Sequence, residues 1–189
     1  MDAPKGIGTN KRYYDSKRKI RRRRNHILAI GIGEYQDYSR LVFPVRECKR
    51  LIETLIKHYD FEPEPRKTLF DSEATCDAIY TELYTLDDLT TNDNLIILFS
   101  GHGFYDRLKD NGYWIPVDGK KLNTNNGRID TPSTLKRYIS VSNIIDNLNT
   151  VKAHHIILIV DSCFAGKFTR FNLRSPEGAY NEENVPAEE

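Results

Sequence analysis

One histidine and one cysteine stand apart from the others in this chain. His102 lies between Gly101 and Gly103, and Cys163 is followed by Phe164, Ala165 and Gly166. Glycines on both sides let the backbone turn sharply and leave the Gly103 N–H free to point at a ligand. A thiol becomes a thiolate near neutral pH only beside a base, and histidine is the usual one. Both residues follow apolar runs, Leu95 to Phe99 and Ile156 to Val160. If those runs are parallel strands lying side by side, imidazole and thiol meet across 61 residues of sequence. The chemistry is then attack by a His-activated cysteine through an acyl-enzyme.

The remaining candidates read more plainly. Cys48 and Cys76 fall on apolar helix faces and read as small buried hydrophobes. His26, His58, His154 and His155 read as surface or capping residues. Asp161 ends an apolar strand, which predicts a part-buried carboxylate in want of a cation. A substrate arginine would supply one bidentately; the other reading is an aspartate that caps a local turn. Gly31 and Gly33 lack the third glycine of a dinucleotide fingerprint, and no helix start follows them.

Several elements must position these groups. His26–Gly33 reads as a buried strand ended by glycines. Residues 44–59 place Val45, Cys48, Leu51, Ile52, Leu55 and Ile56 at helical spacing behind Pro44. Lys67–Asp71 is a short strand, residues 75–89 a second helix, and Asn94–Ser100 the strongest buried strand. Residues 101–134 are rich in Gly, Asp, Asn and Pro, with an extended piece at Tyr113–Val117. Ser142 is placed to cap a third helix running to about residue 149. His154–Asp161 is another buried strand. Strands alternating with helices predict an α/β fold with a mainly parallel central sheet flanked by helices. Function in such sheets gathers beyond the carboxyl ends of the strands, where His102 and Cys163 fall.

Charge divides the 189 residues into three parts. Residues 1–25 hold ten Lys and Arg against two Asp and read as a disordered basic arm. Residues 26–170 form the globular domain, and residues 171–189, with five Glu and one Arg, read as a disordered tail. The middle is mildly acidic, which argues against a nucleic-acid-binding domain. No apolar run reaches the length of a membrane span, and no apolar stretch follows the N-terminal basic region as it does in a signal peptide. Three widely spaced cysteines form neither a disulfide framework nor a CxxC metal motif, which points to a reducing, cytoplasmic compartment.

Leu98-Phe99-Ser100-Gly101-His102-Gly103 and Asp161-Ser162-Cys163-Phe164-Ala165-Gly166 resemble the histidine and cysteine motifs of caspase-like cysteine peptidases of clan CD, of the metacaspase and bacterial orthocaspase type. Leu28–Gly31, Gly112–Asp118 and Ile144–Asp161 add to the likeness, which covers about residues 26–168. The resemblance implies a caspase-like sandwich, here as the large (p20-like) catalytic region. It implies His102 as general base, Cys163 as nucleophile, and the N–H groups of Gly103 and Cys163 as oxyanion hole. It implies an acidic S1 pocket holding Arg or Lys, with Asp161 on one side and Glu47 standing where the family has an aspartate. Peptide substrates and a p10-like small subunit or C-terminal continuation are the implied partners. Self-cleavage is expected in the tails, after Arg24, Arg170 or Arg174. No cofactor is required, and calcium activation follows from the resemblance alone, since Asp106, Asp110 and Asp118 are not spaced like a calcium loop. The competing readings are a non-catalytic scaffold of the same fold and a basic-tailed protein binding nucleic acid or membrane through residues 11–24. The chain ends 26 residues past Cys163, so it reads as a fragment, a processed subunit or a truncated relative.

Overall fold

The computed structural model describes residues 23–107, 109–122, 124–125, 128–129 and 135–162. Cys163, Arg170 and Arg174 lie outside the described residues, as do Arg21 and Arg22.

The first half alternates as predicted. Strand β1 (Arg24–Gly31) is followed by α1 (Pro44–His58), β2 (Lys67–Phe70), a 3-10 turn at Asp71–Glu73, and α2 (Cys76–Tyr84). A second 3-10 turn, Thr85–Asp88, leads to β3 (Asp93–Ser100). Two antiparallel strands come next, β4 (Gly103–Asp106) and β5 (Asn111–Trp114), then the short β6 (Thr124–Asn125), β7 (Arg128–Ile129) and β8 (Ile139–Ser140). Helix α3 (Val141–Leu148) and β9 (His155–Asp161) complete the described chain.

The main sheet is four-stranded and wholly parallel, in the order β2-β1-β3-β9. Its register aligns Phe70, Gly31, Ser100 and Asp161 in one row at the carboxyl end. Helix α1 covers one face, where Cys48 and Ile52 pack on Ile27, Ala29 and Leu98. Helices α2 and α3 cover the other, where Ile79, Leu83, Ile144 and Leu148 meet Leu28, Ile30, Leu95, Ile97 and Phe99. Burying each of these aliphatic side chains contributes roughly 1.5–3 kcal/mol. The face carrying Ile157 and Ile159 of β9 is not covered in the same way: they are 53% and 41% exposed. No described helix is long and apolar enough to cross a membrane.

The elements form where local chemistry directs. Pro44 opens α1, and the Tyr59 N–H donates to the Leu55 carbonyl at its end. Thr75 caps α2 by accepting the Ala78 N–H. The third helix starts two residues earlier than predicted, with Ser140 as its cap, accepting from the Asn143 N–H. Ser142 is instead inside the helix, and its hydroxyl donates to Asn111 Oδ1 at 2.9 Å. The predicted helix over 75–89 ends at Tyr84 and tightens into the 3-10 turn before β3. Of the predicted extended piece at 113–117, Tyr113 and Trp114 end β5, which pairs with β4 and β8 in a second sheet, and residues 115–117 lie beyond the strand.

The basic arm gives way to structure earlier than its composition suggests. Arg24 is the first residue of β1, and its guanidinium holds both oxygens of Asp93 at 2.8 and 3.1 Å. Its inclusion in a free arm is corrected accordingly: cutting after Arg24 requires the strand end to open. His26 is corrected as well. Its Nε2 lies 2.9 Å from Asp93, whose side chain is fully buried.

Candidate active site

Two parallel strands bring the site together. Ser100 and Asp161 are register partners at the ends of β3 and β9. The Ser100 hydroxyl donates to Asp161 Oδ2 at 3.1 Å, and the Gly101 N–H donates to the Asp161 carbonyl at 3.1 Å. His102 leaves β3 two residues beyond this pair. Cys163 follows Asp161 by the same interval in sequence, beyond the last described residue, Ser162.

The loop between β1 and α1 then fixes the imidazole. Its ends are joined by the Leu41 N–H donating to the Gly33 carbonyl at 2.9 Å. The Tyr35 hydroxyl accepts the His102 backbone N–H at 2.7 Å, and the two rings lie 4.8 Å apart. Tyr38 sits on the imidazole at 5.5 Å. The Tyr138 hydroxyl donates to the Lys120 carbonyl at 2.7 Å, so the hydroxyl of Tyr38, 2.5 Å away, donates to Tyr138. Burial, with the Tyr38 hydroxyl beside it, pushes the Tyr138 phenol up, and it stays protonated. Finally, His102 Nε2 lies 2.9 Å from the Ser39 carbonyl oxygen. A carbonyl only accepts, so Nε2 carries the proton and Nδ1 is left as the basic nitrogen.

Two glycines sit in close contact with their neighbours in this packing. A Cβ on Gly101 would lie 2.5 Å from the Tyr35 hydroxyl, so glycine admits the tyrosine. A Cβ on Gly103 would lie 3.1 Å from Ser162 Oγ, so the start of β4 sits directly against the residue preceding Cys163. The Ile115 N–H donates to the His102 carbonyl, which makes Gly103 and Trp114 a non-hydrogen-bonded pair. The ladder therefore leaves the Gly103 N–H unused.

An open cleft of about 390 Å³ runs along these groups, lined by Leu41 to Pro44, Ser100, Gly101, His102, Asp161 and Ser162. Val42 and Phe43 stand 72% and 55% exposed at its lip. Asp161 is its acid among the described residues. The sequence predicts a part-buried carboxylate; Asp161 is exposed, because β9 is an edge strand. It accepts from the Ser100 hydroxyl and has no described Lys or Arg in ion-pair contact. Glu47 does not line this cleft: it lies in the first turn of α1, paired with Arg46 at 3.1 Å and Arg50 at 3.6 Å.

The other cysteines are buried and unreactive by environment. Burial, with the Asp161 and Glu47 charges nearby, pushes the Cys48 thiol up to about 12. Burial and Asp118 push Cys76 up to about 11. Among the described residues, no group of three or more His, Cys, Asp or Glu could hold a metal ion. The loop carboxylates are engaged elsewhere: Asp118 accepts from the Cys76 N–H and Arg137, Asp106 from the Lys109 N–H, and Asp110 from the Tyr105 hydroxyl.

Tyr35, Tyr38 and Ser39 are absent from the candidates that spacing suggests. The available signal is two tyrosines and a serine in the polar loop after the first strand, opposite the glycine-flanked histidine. No protein-family description matches this chain, and no curated protein matches it.

Proposed function

We propose that this chain is the catalytic, large-subunit region of a caspase-like cysteine endopeptidase that cleaves after Arg or Lys. The observation that carries the reading is the parallel register of Ser100 with Asp161, together with an imidazole whose Nε2 is committed to the Ser39 carbonyl. His102 Nδ1 takes the proton of the Cys163 thiol, and the thiolate attacks the scissile carbonyl carbon. The N–H groups of Gly103 and Cys163 stabilise the oxyanion. The tetrahedral intermediate collapses with loss of the amine, which takes the proton from His102. Water, deprotonated by His102, then attacks the thioester, and the thiolate leaves.

Asp161 receives the basic side chain on the amino-terminal side of the scissile bond. Its exposure in the cleft without a described cationic partner supports this role. The exposed Ile157 and Ile159 on the edge strand support a p10-like small subunit or continuation that completes the sheet.

Hydrolysis of fluorogenic peptides ending in Arg, Lys and Asp tests the proposal, with and without calcium. Turnover of Arg and Lys peptides, lost in Cys163→Ala, is expected. Equal activity in Cys163→Ala protein, or preference for Asp, would overturn it.

A further inference from the structure

Beside the cleft lies a second cavity of about 340 Å³, lined by Gly33, Glu34, Arg40, Leu41, Val42, Val45, Arg46, Lys49 and Asp71. It shares Leu41 and Val42 with the cleft, so the two cavities adjoin. Its charge is opposite to that expected of a site for basic residues. Three cations line it against two carboxylates. Arg40 is neutralised by Glu34 at 2.6 Å, and Asp71 Oδ1 is occupied by the N–H groups of Gly33 and Glu34 at 2.8 and 2.9 Å.

Arg46 is paired with Glu47 at 3.1 Å, which leaves Lys49. The Arg46 guanidinium lies 4.6 Å over the Phe43 ring and shares Glu47 with Arg50. The Lys49 ammonium lies 5.4 Å over the Phe70 ring and has no carboxylate in ion-pair contact among the described residues. Arg46 and Lys49, three residues apart, share one face of α1, and of the two only Lys49 is without a described carboxylate partner.

We infer that this cavity is a subsite for an acidic side chain of the peptide, a few residues from the scissile bond. The inference rests on the peptidase reading and narrows its substrates to basic-then-acidic sequences. The chain itself contains one: Arg174-Ser175-Pro176-Glu177 places a carboxylate three residues past a basic residue. In an extended peptide that separation is about 10 Å. The other basic candidate, Arg170, is followed by Phe171, Asn172 and Leu173, with no acid in reach.

A labelled peptide with the sequence of residues 171–180, and its twin with Gln in place of Glu177, test this. Binding is measured by fluorescence anisotropy to Cys163→Ala protein, with and without Lys49→Gln or Lys49→Glu. The Glu peptide is expected to bind roughly five- to tenfold tighter than the Gln peptide at low salt. That ratio is expected to fall to about one in Lys49→Gln and below one in Lys49→Glu. Circular dichroism checks that the exposed Lys49 variants remain folded. Equal binding of the two peptides, or an unchanged ratio in Lys49→Gln, overturns the subsite. Cleavage of both peptides by the wild-type protein is scored separately. A retained Glu preference without cleavage overturns the peptidase reading and leaves the subsite standing.

Discussion

The Tyr35 hydroxyl accepts the backbone N–H of His102 at 2.7 Å, in space left open by the missing Cβ of Gly101. One loop thereby holds the histidine twice: at its main chain through Tyr35 and at its ring through the Ser39 carbonyl. Tyr35→Phe keeps the ring and removes the acceptor. It is expected to cost about 1 kcal/mol of stability, read by urea denaturation. It should also lower kcat/KM on Arg peptides about tenfold, mainly in kcat, since His102 loses its aim rather than the substrate its pocket. Unchanged kcat would leave Tyr35 a packing residue.

His102 and Cys163 are expected to act as one unit. Each Ala variant should abolish turnover, and the double variant should be no worse than the poorer single one. Additive losses would break the dyad.

Thiol chemistry should single out one cysteine of three. Burial holds Cys48 and Cys76 near 12 and 11, so at pH 7.5 neither forms appreciable thiolate in the folded protein. Peptide mapping after brief iodoacetamide treatment is expected to find Cys163 labelled first, and more slowly in His102→Ala. Comparable labelling of Cys48 would contradict the burial argument.

Asp161→Asn keeps the shape and the Ser100 hydrogen bond but removes the charge. For Arg and Lys peptides a loss of about 2 kcal/mol in transition-state binding is expected, close to thirtyfold in kcat/KM. The Arg-to-Gln selectivity of a peptide pair is the measurement, and an unchanged ratio would place the specificity elsewhere.

At the opposite end of the sheet, Asp93 sets the acid limit of the fold. Burial alone would raise its carboxyl, but hydrogen bonds from His26, Thr90 and Arg24 outweigh it and hold the group well below the usual carboxylate range. A depressed folded value contributes stability above the unfolded value, about 4, and that stability is lost as pH falls below it. Asp93→Asn is therefore expected to lower stability at pH 7 by about 2 kcal/mol and to flatten its decline below pH ~4. Denaturant titrations at several pH values compare the two proteins. Parallel pH profiles would show that Asp93 is not the titrating group.

The strands of the main sheet are legible in the chain, because a parallel strand reads as a short continuous apolar run, but their order β2-β1-β3-β9 is not. Leu95 to Phe99 and Ile156 to Val160 are such runs, and the glycines around His102 mark the strand end where the backbone must turn. The residue types at 102 and 161 were thus identifiable one at a time. What holds them was not. Ser39 contributes a backbone carbonyl, which every residue has, so no side-chain pattern announces it. Tyr35 and Tyr38 reach His102 only because the Gly33–Leu41 closure folds their loop over the carboxyl end of β3. The β4–β5 pair is short, and its hairpin turns through Asp110 at a positive φ, which gives no alternation to read. His26 reads as a surface histidine from its sequence alone, yet pairing of β1 with the adjacent β3 brings its ring to Asp93, 67 residues away. Periodicity reports whether a residue faces the core. Only the tertiary register decides which residue of another strand it faces there, since that depends on how distant segments align.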